Sequence, residues 1–407
     1  MKRPIVFLTV AAVTCLALAM GLATLAWGGF FPFLQSVDRP QPPLFVDFTW
    51  HYYDTARDLL AKASPAHGFF YPATFALMVM PFTWVHPDTA MIAWAAVQAL
   101  GGLALMVLSG LLLWPYGRGY ALGAVALVAA SHPFWHNVRW GQVSVLVTAL
   151  MLGTLLALRK RPWLAASLLA VATAIKVFPA LFALPWLARR DGRGLARFAG
   201  VAALLLLALP LLVLGPARFW QFSKRTQAAT RQALETWVPV DGNSQYPSFV
   251  VARWRTEEGA RPRELPGIRL LGWLLFLANL GAAYRLFRRG EEQAPLAAGL
   301  LFTALPLVLP TSWPHYFVFL PFCQMTALAH ARNEARRGPR LAMLALAGVS
   351  AFLASLPAFA LAGGQPRYAE LGLLCVANLA VMAALLWAAA VSPPPPPSAP
   401  PDPCPSP

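Results

Sequence analysis

The stretch Leu371-Gly372-Leu373-Leu374-Cys375-Val376-Ala377-Asn378-Leu379-Ala380-Val381-Met382-Ala383-Ala384-Leu385-Leu386-Trp387-Ala388-Ala389-Ala390-Val391 contains no charged side chain. Wound as a helix at 1.5 Å per residue it is about 30 Å long, the hydrocarbon thickness of a bilayer. It is apolar on every face, whereas a helix of a soluble protein carries one apolar stripe. Comparable runs lie near 5–27, 88–114, 120–136, 143–158, 163–175, 177–188, 197–214, 268–285, 294–310, 316–330 and 341–362. With 58% hydrophobic and 12% charged residues, the chain treats lipid as its solvent. Backbone groups in lipid must be satisfied within the segment, so the expected class is an all-α polytopic membrane protein. Residues 1–391 form one transmembrane domain of about 12 membrane segments, followed by a disordered, Pro-rich cytoplasmic tail at 392–407.

The net charge of +16 does not indicate nucleic acid, because Lys and Arg sit in short loops between apolar runs, beside membrane lipids. The clusters at 159–161, 189–197, 285–289 and 332–340 fall on one side when the runs are counted in order, and the positive-inside rule makes that side the cytoplasm. Both termini are then cytoplasmic. Loops 28–87 and 215–267 are external, with shorter external loops at 131–142, 311–315 and 363–370. This count requires 163–188 to cross twice or re-enter, and 73–85 to be a partly inserted helix. The run from Ile5, preceded by Lys2 and Arg3, is read as a retained first span. Cys15, Cys323, Cys375 and Cys404 have neither disulfide-framework nor metal-ligand spacing.

No acidic residue lies in the core of an expected span, and no internal repeat is visible, which disfavours an ion-coupled transporter. The first external loop contains Phe45-Val46-Asp47-Phe48-Thr49-Trp50-His51-Tyr52-Tyr53-Asp54. Helical spacing puts Asp47, His51, Asp54 and Asp58 on one face and Phe48, Tyr52 and Leu59 on another, as in a helix lying on the membrane surface. That acidic stripe is either functional or simply the solvated side. Lys176, at the turn of 163–188, costs roughly 2.5 to 3.5 kcal/mol inside a membrane segment, so it needs an anionic partner or must snorkel to headgroups. Arg139, Gln142, Trp313 and His315 sit at external span ends, where interfacial anchoring is the alternative to substrate binding.

The blocks Asp47-Phe48 through Tyr52-Tyr53, Phe70-Tyr71-Pro72, Gly141-Gln142, Ala174-Ile175-Lys176-Val177-Phe178-Pro179, Asp241-Gly242-Asn243-Ser244-Gln245 and Thr311-Ser312-Trp313-Pro314-His315 occur in an order that resembles glycosyltransferase family 87. Those are bacterial polyprenol-phosphate-mannose-dependent mannosyltransferases of the GT-C superfamily. The resemblance implies a GT-C-type transmembrane helix bundle whose external loops carry the active site. It implies Asp47 as the catalytic base and Lys176 at the donor phosphate, where Arg139, at an external span end, is expected to assist. The chain departs from the family at Ala73, at Ser244-Gln245 and at Tyr316.

Outward-facing carboxylates suit a sugar carried across the membrane on a lipid phosphate. The expected enzyme is therefore a glycosyltransferase of the bacterial plasma membrane with its active site facing outward. It transfers mannose from a polyprenyl-monophosphate donor to a glycolipid, glycan or protein acceptor, with inversion. His51, Tyr52, Tyr53, Asp54, Tyr71, Gln142, Asn243, Trp313 and His315 are the substrate-binding candidates. Without a DxD motif or acidic pair, no metal and no cofactor are expected. The rival readings are transfer of another prenyl-linked sugar such as arabinofuranose or an aminosugar, a lipid-linked-sugar flippase or transporter, and a non-catalytic scaffold.

Overall fold

A computed structural model describes residues 2–27, 32, 44–256 and 260–391. Most of 28–43 and the tail expected to be disordered lie outside the described residues. Helices make up the architecture; the pairing recorded outside them is an isolated bridge between Ser131 and Ser355. The protein is an all-α polytopic membrane protein. Arg3–Leu22, Pro87–Tyr116, Gly192–Thr236, Pro266–Arg289 and Leu373–Val391 are each long and apolar enough to cross a bilayer. Other expected segments are shorter, among them Arg118–Ala130, Pro162–Ile175 and Phe178–Ala188. Small residues let the helices approach closely. A Cβ on Gly110 would come 2.8 Å from the Leu8 side chain, and one on Gly102 2.9 Å from the Phe134 ring.

One end of the bundle collects the basic loops. Arg189 pairs with Glu291 at 3.3 Å and Arg159 approaches the same carboxylate at 3.9 Å. Tyr116 donates to the Glu292 carbonyl and packs against His330. The loops that the sequence assigns to one side therefore converge in space.

The other end is made of broken helices. The expected run 120–136 stops at Ala130, where Ser131 is extended, and the expected loop 131–142 instead holds helix His132–Trp140. Pro133 starts that helix and Gly141, at φ 68°, ends it. Next comes Ser144–Ala157, bent from it by 120°. Such a bend frees backbone groups that the surroundings must satisfy. Trp94 donates to the Gly141 carbonyl at 2.8 Å, Gln98 to the Gln142 carbonyl at 2.7 Å, and Asn137 accepts from the Val145 amide at 3.2 Å. Asn137 in turn donates to Gln98, closing the network.

The long loops are also largely helical. Helix Leu209–Thr236 is interrupted at Gly215, φ 74°, just before Pro216, and its second half belongs to the expected loop 215–267. Residues 47–62 do not lie on the membrane with an apolar face in lipid: Phe48, Tyr52 and Leu59 are fully buried within the protein. Phe48 stacks on Trp94 at 4.7 Å. Asp47–Tyr53 is wound as a π-helix, wider than the α-helical spacing read from the sequence. Likewise the expected span 341–362 is divided into Arg337–Leu353 and Leu356–Leu361, separated at Ala354 and Ser355.

The π-helix is held to the bend by Phe45, whose amide donates to the Arg139 carbonyl at 3.0 Å and whose φ is 58°. A Cβ on Gly141 would meet Phe45 at 3.0 Å, at a backbone angle that disfavours any side chain. Gly141→Ala is therefore expected to destabilise the protein by about 1–3 kcal/mol, read as a lowered thermal midpoint in detergent, whereas Gly267→Ala, which meets open space, should leave it unchanged.

Candidate active site

Four chain breaks meet at this end: the π-helix 47–53, the bend at 141–143, the break at 176–177 and the turn before helix Pro314–Phe319. They line a cavity of about 350 Å³. Of the residues singled out in the sequence, Asp47, His51, Tyr52, Tyr71, Gln142, Lys176, Asn243, Trp313 and His315 line it.

Asp47 is held from two sides. Gln142 Nε2 donates to its Oδ2, and His51 Nε2 lies 3.5 Å from its Oδ1. Burial lowers the His51 pKa from 6.5 to about 4, so at neutral pH the imidazole is uncharged and its contact with Asp47 is not an ion pair. Gly68 makes room for this ring, since a Cβ there would stand 2.6 Å from it. The hydrogen-bond chain continues behind Gln142: its Oε1 accepts from Tyr71 at 3.1 Å, and the Tyr71 and Tyr52 hydroxyls are 2.8 Å apart. These links fix the carboxamide so that its NH₂ faces the carboxylate.

Lys176 follows the last residue of helix Pro162–Ile175 in extended conformation, and the next helix begins at Phe178. Its Nζ donates to Ser144 Oγ at 3.2 Å and lies 3.9 Å from the centroid of the Tyr316 ring and 5.5 Å from that of Tyr71. Two ring faces and a hydroxyl thus offset the loss of water around a buried ammonium. The charges of Asp47 and Lys176 are near enough to interact.

Phe70, Trp237 and Trp313 form an aromatic wall, with Trp237 stacked on Trp313 at 6.0 Å. Asp241 braces it: its Oδ2 accepts from Trp313 Nε1 at 2.7 Å and its Oδ1 from the Asn243 amide at 3.0 Å. Burial raises the Asp241 pKa. Asn243 is itself held by Gln365, 2.6 Å away.

Three candidates are elsewhere. Arg139 is fully buried and does not line the cavity; its carbonyl accepts from the Phe45 amide beside the π-helix. Tyr53 points away, donating to the Val85 carbonyl, and Asp54 is on the surface beside Arg57 at 3.1 Å. The π-helical winding carries Asp54 off the Asp47 face, because one turn there contains more residues than an α-helical turn. Sequence reasoning passed over His136, Asp241 and Tyr316, which all line the cavity. His136 stacks on His315 at 5.6 Å, and the ring nitrogens of both have no hydrogen-bond partner among the described residues. Its signal was its spacing, four residues after His132 and three before Arg139, in a segment read as a loop.

A 29% identity over 297 residues, covering 69% of this chain, links it to a polyprenol-phosphate-mannose-dependent alpha-(1-2)-phosphatidylinositol mannoside mannosyltransferase of Mycobacterium tuberculosis (strain ATCC 25618 / H37Rv). A protein of the same description from Mycolicibacterium smegmatis (strain ATCC 700084 / mc(2)155) is 28% identical over 288 residues, 65% of this chain. The match spans 66% and 63% of the length of these curated relatives, just under two thirds. The model for "Glycosyltransferase family 87" matches residues 69–310, more than half of the chain and most of the cavity wall. The chain belongs to glycosyltransferase family 87.

Proposed function

We propose that this protein transfers mannose from a polyprenyl-monophosphate carrier to a hydroxyl of a glycolipid, glycan or protein acceptor. The observation that carries this reading is the presence of a carboxylate, Asp47, and a cation, Lys176, on the wall of one cavity. A lipid-phosphate glycosyl donor calls for that pair. Asp47 accepts the proton of the acceptor hydroxyl as its oxygen attacks the anomeric carbon. The bond from that carbon to the phosphate oxygen breaks, and its electron pair leaves on the phosphate, whose growing charge Lys176 stabilises. A single displacement inverts the anomeric centre. Gln142 and His51 orient the base. His136 and His315, whose ring nitrogens on the cavity wall are unpartnered among the described residues, are suited to sugar hydroxyls. Asp241, which accepts from Trp313 Nε1 and from the Asn243 backbone amide, positions Trp313 and Asn243 on the wall.

The gathering of Arg159, Arg189 and their neighbouring loops at the far end supports a cytoplasmic assignment for that end. The cavity then opens at the outer face of the plasma membrane, where a lipid-carried sugar is available.

The test is transfer of labelled mannose from polyprenyl-phosphate-mannose into lipid or polymer products of a membrane extract. Asp47→Asn should lower kcat by about 10²–10⁴-fold with folding intact. Lys176→Met should lower kcat/KM for the donor by about 10²–10³-fold. Activity of Asp47→Asn equal to wild type would remove the carboxylate from the mechanism, and use of a different prenyl-linked sugar would redirect the donor assignment.

The low pKa of His51 also makes stability depend on pH. A histidine that is uncharged when folded destabilises the protein as pH falls from 6.5 towards about 4, where the folded form also protonates. The thermal midpoint should decline over this window, and His51→Gln should flatten the decline. An unaltered slope in that variant would mean that His51 is not the group responsible.

A further inference from the structure

A second cavity of about 750 Å³ opens beside the first and shares Phe70, Tyr71, Val177 and Thr230 with it. Its polar wall is the second half of helix 209–236, which contributes Lys224, Thr226, Gln227, Thr230 and Arg231. Phe70, Phe222 and Leu234 supply apolar surface, and among the described residues no acidic one lines the space.

The four cations along this helix divide into two pairs, each seven residues apart and therefore each on one helix face. Arg218 and Arg225 are committed to the fold: they donate to the carbonyls of Leu60 and Lys62 at the end of helix 54–62. Lys224 and Arg231 face the cavity, and neither has a hydrogen bond or an ion pair among the described residues. Between them Thr226 Oγ1 is buried without a partner among the described residues. Their Cα atoms are about 10.5 Å apart along the helix, a span that two long side chains can close around one phosphate.

We propose that this groove seats the phosphate-bearing headgroup of an anionic lipid, with Lys224 and Arg231 on its phosphate oxygens. The proposal rests on the transferase reading in one respect: the lipid is then the acceptor, its headgroup sugar reaching the first cavity past Tyr71 and Thr230. Pro72, Ala73, Val177 and Trp220 extend the apolar surface, so the wall accepts hydrocarbon as well as a headgroup, and a polyprenyl phosphate seated here instead would show as a raised donor KM in the groove variant. The positive-inside rule does not account for the pair, since these cations lie at the end of the molecule opposite the gathered basic loops.

The full chain in phosphatidylcholine nanodiscs is titrated with phosphatidylinositol, and bound lipid is read by native mass spectrometry. Lys224→Ala/Arg231→Ala should bind roughly tenfold to thirtyfold more weakly. Arg337→Ala/Arg340→Ala, which removes equal charge from another exposed helix, should bind like wild type. Equal binding by wild type and the groove variant, or equal losses in the two double variants, overturns the site. This arm needs neither donor nor turnover, so Asp47→Asn should bind as wild type does even if the transferase reading fails. With labelled donor and a phosphatidylinositol-linked mannoside, the groove variant should raise the acceptor KM about tenfold or more while the donor KM and kcat hold. Weakened lipid binding with an unchanged acceptor KM overturns the acceptor assignment.

Discussion

The site depends on a helix that breaks where breaking is costly. Backbone amides and carbonyls released at residues 141–143 have little water to turn to, and each one left unpaired would cost on the order of 1–3 kcal/mol. Trp94 and Gln98, one turn apart on helix 87–113, meet two of the freed carbonyls, while Asn137 meets an amide beyond the bend. Because the break is satisfied, it can be sharp, and Gln142 at its apex projects toward Asp47. The orientation of the candidate base is thus set by residues on three separate stretches of chain.

The same economy governs Lys176. Its charge sits where two short helices meet, among tyrosine rings and one serine hydroxyl. Rings stabilise a cation without supplying a counter-charge, so the ammonium stays available to an incoming anion. A permanent carboxylate partner in contact with Nζ would compete with that anion. The proposed division of labour therefore has a geometric basis: Asp47 is engaged by Gln142 and His51, and Lys176 by rings.

Much of this was legible in sequence, for identifiable reasons. Uncharged runs such as 371–391 announce lipid, and scarce polar residues such as Lys176 stand out against that background. Gln142, Tyr71, His315 and Asn243 were found through their ordered blocks, although the hydrogen bond between Tyr71 and Gln142 joins residues far apart in the chain. Asp54 was misplaced because α-helical spacing was applied to a π-helical stretch, and Tyr53 entered through its block with Tyr52, which alone of the two lines the cavity. His136 was missed because Pro133 and Gly141 read equally well as loop residues or as the start and end of a short helix. Arg139 was expected at the surface of the site, yet its burial could be seen only after the helices were packed.

The contacts of Arg218 and Arg225 have a further consequence. By holding the carbonyls that end helix 54–62, they join the first long loop to the second across more than 150 positions of sequence. The two loops are one mechanical unit resting on the bundle. Recombination between family members would then be expected to succeed when both loops come from the same parent and to fail when each comes from a different one, however well the membrane helices match. Specificity in such proteins would be inherited as a linked pair of segments, not as single loops.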